Sequence, residues 1–213
     1  MSAQAVPVHP DDVRRHLREV ADLSAREKVT VAHLADRLGP SGVAVLCIVL
    51  SVPFLQPVPT GPLATVCGLA FAALGRQIMR GEPVVRLPER VRAIEPGPRT
   101  WATVHRVVSW FLSVGSKIGR GRLAHWTHGR RGDVCIGGLV AVGGLLIAVP
   151  FLAVPLNNTF PALIVVCAAM ARLHRDAIFL GFALFWLKVT LVYFAVVLWG
   201  VWFVGDLAVT RLG

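Results

Sequence analysis

Two stretches of this sequence run for 38 positions each without a charged residue, Leu38 to Gly75 and Val134 to Ala171. Prolines interrupt both near the middle: Pro53, Pro57, Pro59 and Pro62 in the first, Pro150, Pro155 and Pro161 in the second. One unbroken helix of that length would measure about 57 Å at 1.5 Å per residue, far beyond the ~30 Å hydrocarbon core of a bilayer. Proline removes a backbone donor and breaks a helix. Removing a Pro-rich turn leaves two arms of about 15 residues, ~22 Å each. Each run is therefore expected to double back as a helical hairpin, either re-entrant or a pair of short crossings, with both ends on one side. VPFLQPVPTGP in the first run matches VPFLAVPLNNTFP in the second. Each is followed by an apolar arm with a cysteine and then an arginine, Cys67 and Arg76 or Cys167 and Arg172, so the two read as internal repeats.

Composition agrees with a lipid solvent. Hydrophobic residues make up 55% of the 213 and charged residues 16%, against roughly 25% charged in soluble chains. So small a globule cannot hide that much apolar surface. The expected class is an all-α polytopic membrane protein with two Pro-broken hairpins, amphipathic interfacial helices and a final long transmembrane helix. The segments are 1–42 (amphipathic helices), 43–80 (first hairpin), 81–133 (basic interfacial helices), 134–173 (second hairpin) and 174–213 (last span and tail). In the first segment Asp11 and Asp12 open a helix of about 13 residues striped by Val13, Leu17, Val20 and Leu23, and Thr30 to Leu38 suggests a second. Ala177 to Val204 is long enough for one tilted span. The N-terminal sequence lacks the apolar centre of a signal peptide, so insertion is expected from the internal spans.

The net charge is +10. Residues 76–131 hold twelve basic side chains and three acids, Glu82, Glu89 and Glu95. Beside apolar spans this block reads as a cytoplasmic region facing anionic headgroups, which also puts the N-terminus inside. Leu87, Val91 and Ile94 form one apolar edge there; Trp101, Val104, Val107, Val108, Phe111 and Leu112 form another. Trp101, Trp110 and Trp126 suit the headgroup zone. Reading Trp101 to Ser116 as a further span would invert the second hairpin and ranks below this. Nucleic acid is not an expected partner, because no recognition motif is present and the apolar spans account for the location of the charge.

Catalysis finds little support. There is no G-x-S-x-G and no phosphate-binding G-x-x-x-x-G-K-[ST] loop, and no acid pair lies inside the apolar runs. Cys47, Cys67, Cys135 and Cys167 form no C-x-x-C, and neither a metal nor any other cofactor is expected. His105, His125 and His128 sit among Trp and Arg and read as interface-facing. The polar residues within the runs are few, Ser51, Gln56, Thr60 and Thr65, then Asn157, Asn158 and Thr159, and they cluster at the proline tips; Gln56, Thr60, Asn157 and Asn158 are the candidates for substrate contact. The plainer reading has the Asn pair satisfying carbonyls freed by proline; the other has these amides meeting a sugar hydroxyl or a lipid headgroup. Arg76, Gln77, Arg172, Arg175 and Asp176 lie at the charged ends of the arms and complete the candidate substrate set. Lys188, about 12 residues into the last span, joins them because an intramembrane charge is a functional suspect. Gly137-Gly138, Gly143-Gly144 and Ala168-Ala169 offer close helix packing, within one chain or in a homo-oligomer.

The order VTVAHLADRLG, GVAVLCIVLSVPFLQPVPTGP, RQIMRGEPVVRLP, a basic amphipathic middle, VPLNNTFPAL and ARLHRDA before a long apolar helix resembles the ExoD family of exopolysaccharide synthesis proteins. The resemblance runs from about Val29 to the end of the last span. Its most specific pieces are Gln77, Gly81 and Leu87-Pro88, then Pro155, Asn158 and Pro161, then Arg175-Asp176. Ala177 stands where the family usually has Gly, and the helix around His105 lacks an acid expected there. The resemblance implies a multi-pass bacterial inner-membrane protein with a part in making or exporting exopolysaccharide, and it transfers no catalytic residue. The leading expectation is a non-enzymatic membrane component handling a lipid-linked or anionic substrate at paired hairpin tips. A small transporter or lipid scramblase comes second, a membrane scaffold for partners such as polysaccharide-synthesis proteins third, and a membrane enzyme fourth.

Overall fold

The computed structural model describes residues 10–24, 27, 29–30, 32–33, 38–56, 61–82, 86, 92–93, 95, 97–119, 127, 129–149 and 156–212, with the side chains of 10, 21, 40 and 204–212 outside that description. Among the described residues the chain is helical throughout, without strands. Helix α1 (Pro10–Ser24) begins with Asp11 and Asp12 in its first turn and buries Val13, Leu17 and Val20 on one face. A 3-10 turn at Gly39–Ser41 leads into α2 (Gly42–Ser51), which tightens into a second 3-10 stretch at Val52–Leu55. Then follow α3 (Pro62–Arg80), α4 (Pro98–Ile118), α5 (Gly129–Ala148), α6 (Thr159–His174) and α7 (Ala177–Leu212). Most of the helix expected over Thr30 to Leu38 lies outside the described residues, as do Leu87, Val91, Ile94 and Trp126.

The prolines act at boundaries. Pro53 lies in the 3-10 stretch that ends α2, and Pro62 starts α3 at a position where a missing N–H costs nothing. Pro161 sits in the first turn of α6, again among donors with no intrahelical partner. Pro57, Pro59, Pro150 and Pro155 lie outside the described residues. Among the described residues three helices are long and apolar enough to cross a membrane: α3 with 19 residues, α5 with 20, and α7 over the 27 residues Ala177–Phe203. The apolar segments Gly42–Leu55 and Thr159–His174 are shorter. Helix α4 is not one of the three spans; it is amphipathic.

The most extensive contact joins α3 to α5, and glycine makes it possible. A Cβ on Gly68 would lie 2.5 Å from the Gly144 carbonyl oxygen and 2.6 Å from the Ala148 nitrogen. One on Gly75 would lie 2.5 Å from the Gly137 carbonyl and 2.6 Å from the Ala141 nitrogen. The backbones touch directly, as small residues allow where lipid supplies no hydrophobic drive for association. Gly68 faces Gly144 while Gly75 faces Gly137, so the pair is antiparallel and α3 ends where α5 begins. The hydroxyl of Thr65 donates to the Ala148 carbonyl at 3.2 Å, satisfying an acceptor left open at the end of α5. Helix α6 packs on α5, where Gly143 meets Val165 and Pro161, and also on α2 and α7.

The bundle has two distinct ends. At the charged end Arg172 of α6 pairs with Asp133 of α5, and Arg175 and Asp176 join α6 to α7. Helix α4 docks here: Gly115 lies so close to Met170 and His174 of α6 that any side chain would clash. Helix α1 packs on α4, with Arg14 donating to the Ser113 hydroxyl at 3.2 Å. Trp101 is not at a headgroup surface, contrary to expectation. It is 3% exposed, and its indole N–H points to the Val29 carbonyl at 3.4 Å, because the short-spaced apolar face of α4 turns toward the bundle. At the proline end, Phe160 of α6 stacks on Trp186 and meets Tyr193 edge-on, both on α7. From Ala195 to Phe203, about 14 Å further, no residue of α7 is buried.

Candidate polar sites at the two ends of the bundle

At the proline end the chain enters α6 through a strained turn. Leu156 has φ 61, a left-handed conformation that costs a side-chain-bearing residue about 1–2 kcal/mol. Its carbonyl accepts from the N–H groups of Thr159 (3.1 Å) and Phe160 (3.4 Å). With Pro161 next, the first-turn donors of α6 are used or missing. Asn158 is the N-cap, yet its side chain makes no capping bond. Asn157 is 6% exposed and donates through Nδ2 to the Asn158 amide oxygen at 3.4 Å. The Oδ1 of Asn157 and the Oγ1 of Thr159 are buried without a hydrogen-bond partner among the described residues. Two polar atoms left unpaired in an apolar bundle each cost of the order of 1–3 kcal/mol. Gln56 is exposed just after the 3-10 end of α2, a stretch that touches α6. Thr60 lies outside the described residues.

The remaining candidates belong to the other end. Arg76 is exposed there. Gln77 has its amide engaged at both atoms: Nε2 donates to the Arg86 carbonyl and Oε1 accepts from the Arg86 N–H, each at 2.9 Å. Helix α3 stops in a Schellman turn, with Gly81 at φ 65, its N–H on the Ile78 carbonyl and the Glu82 N–H on the Gln77 carbonyl. Gln77 and Gly81 thus share one task, folding the chain back after α3. Arg172 is 14% exposed in its ion pair with Asp133, a residue that sequence reasoning left out because 39 positions separate the two. Arg175 ends α6 in the left-handed region, and the fully buried Asp176 caps α7 by accepting the Ile178 N–H at 3.0 Å. Lys188 is exposed on α7, away from the face that buries Phe179, Ala183, Thr190 and Phe194. The candidate residues therefore divide between two ends of the bundle and the outside of α7. Among the described residues no three His, Cys, Asp or Glu side chains converge as metal ligands.

The comparisons with known proteins agree on one family. The model for ExoD exopolysaccharide synthesis proteins matches residues 13–196. The chain is 29% identical over 168 residues to Protein ExoD of Rhizobium meliloti (strain 1021), covering 79% of this chain and 70% of that protein. No solved structure matches. The match runs from the first turn of α1 into α7 and takes in both polar ends, so the chain belongs to the ExoD family, a membership that implies involvement in exopolysaccharide synthesis.

Proposed function

We propose that this chain is a non-enzymatic component of the bacterial inner membrane that supports exopolysaccharide synthesis or export by holding a hydroxyl-rich or lipid-linked substrate at the proline end. The observation that carries this reading is the pair of buried, unpartnered atoms, Asn157 Oδ1 and Thr159 Oγ1, beside the strained Leu156. Strain and unsatisfied polarity persist where they serve a task. Asn157 Oδ1 accepts a hydrogen bond and the Thr159 hydroxyl can both donate and accept, so a hydroxyl-bearing ligand, which also does both, suits the pair. Arg76 and Arg172 lie at the far end and would meet a substrate's anionic part only if it ran along the bundle.

The proline tips are proposed to end inside the bilayer, as re-entrant hairpins. Phe160 is level with the stretch from Trp186 to Tyr193, roughly 15–26 Å along α7 from Asp176, while the apolar part of α7 runs on past it. The arms also pair in a way that favours repeats. Helix α3 lies on α5 and α2 lies on α6, and exchanging the two runs converts one contact into the other. Because α3 ends where α5 begins, both hairpins would enter from the same side, with the N-terminus and the basic centre cytoplasmic.

The test compares Asn157→Leu and Thr159→Val, singly and together. Removing unsatisfied buried polar atoms should raise thermal stability in detergent or leave it unchanged. Polysaccharide output, in a bacterium lacking its own family member, should fall. Full output from a stable double variant would end this reading. One observation favours a transporter or scramblase instead: Lys188 stands exposed on a helix apolar enough to cross the bilayer. Lipid flipping or solute flux in proteoliposomes that disappears in Lys188→Ala would move the assignment there.

A further inference from the structure

We infer that the outer face of α4 is a docking surface for the anionic headgroups of the bilayer that holds the bundle. The buried residues of α4 are Trp101, Val108, Leu112 and Gly115. At 3.6 residues per turn, Arg99, Arg106, Trp110 and Lys117 all fall within about 30° of the direction opposite their centre. All four are exposed, with Trp110 at 60%. None of the three cations pairs with an acid among the described residues, and α4 contains no acid. The result is a line of three unpaired positive charges about 27 Å long with one indole in its middle.

Position decides the occupant. Gly115 fixes α4 against Met170 and His174, beside the charged end of α6, where the apolar helices give way to charge. That is the depth of the headgroups. An indole is favoured at that depth, between acyl chains and water, and basic side chains there draw anionic lipid. An acidic protein could answer the charge, but it would leave the location of Trp110 unexplained. The surface is separate from the proline-end site, so either reading can fail alone.

The full chain in nanodiscs of mixed anionic and zwitterionic phospholipid provides the test. Two disc preparations share one composition, and bromine is carried on the acyl chains of the anionic lipid in one and of the zwitterionic lipid in the other. The Trp110 signal is the fluorescence of the wild type minus that of Trp110→Phe. A basic side chain near the surface enriches anionic lipid about fivefold, so the anionic label should quench Trp110 at least about twice as strongly at low salt, with the difference fading at high salt. Arg99→Gln, Arg106→Gln and Lys117→Gln together should erase the difference. Equal quenching by the two labels in the wild type would overturn the inference, and so would no quenching by either, which would leave the face to water or a protein. The wild-type comparison decides even if the triple variant fails to fold.

Discussion

Gln77 and Asp176 each use a side-chain group to hold backbone in place, and both lie in the sequence pieces that most resemble the family. Replacing Gln77 with Leu removes two hydrogen bonds to Arg86. It should cost about 1–3 kcal/mol, read as a lower unfolding midpoint in detergent, with polysaccharide output falling only as far as protein abundance falls. Gly81→Ala should cost about 1–2 kcal/mol by the same measurement, because the helix stop needs a left-handed residue. Asp133→Asn should be harsher, since it leaves the 14%-exposed Arg172 without its anion, and the Asp133→Asn, Arg172→Met pair should recover part of the loss. Sequence alone marked Gln77 and Gly81 as distinctive without giving the reason. A nine-residue reach to Arg86 follows no helical or strand period and belongs to a turn, where pattern reading is weakest.

Among the elements, the α3–α5 pair is where packing is least forgiving. Gly75→Leu or Gly137→Leu drives a side chain into facing backbone that has no rotamer to change, so each should cost about 3 kcal/mol or more and deplete the folded protein. Gly138→Leu should be tolerated, because nothing lies within 4 Å of its missing Cβ. Size-exclusion profiles and limited proteolysis of the three variants side by side would check the contrast. The apolar runs and their proline interruptions were legible as stretches free of charge, and the last long helix as an apolar stretch broken only by Lys188. Gly137 and Gly144 were read as small surfaces for close packing, but Gly68 and Gly75, the residues they meet, were not singled out. Small residues say that something comes close; they carry no information about what. Helix α4 was read as amphipathic, yet Trp101 was turned to the wrong side, because tryptophan suits a core and an interface equally well.

For the whole molecule, the prediction concerns sidedness. Single cysteines at Arg76, Arg131 and Lys117, all exposed, in a chain lacking its native cysteines should react with an impermeant maleimide from one face of the membrane, and one at Arg211 from the other. A cysteine at Gln56 should label slowly from both, because a proline end held within the bilayer meets little water. Rapid labelling of Gln56→Cys from the Arg211 face would instead make both runs full crossings. This architecture was only partly readable beforehand: arm lengths of ~22 Å fit a short crossing and a re-entrant loop equally. The re-entrant form proposed above draws its support from the reach of α7 past Phe160, a relation between helices that no single segment contains, and the labelling of Gln56→Cys is what tests it.

The glycine seam also sets a timetable for synthesis. Helix α3 leaves the ribosome with its glycine face bare, and the last of the matching residues, Ala148, is made 68 positions after Arg80. At roughly 5–20 residues per second, α3 waits about 3–14 seconds for its partner. During that interval its exposed backbone must be shielded by lipid or by an insertion factor. Slowing translation between α3 and α5 should therefore lower the yield of folded protein without changing a single residue.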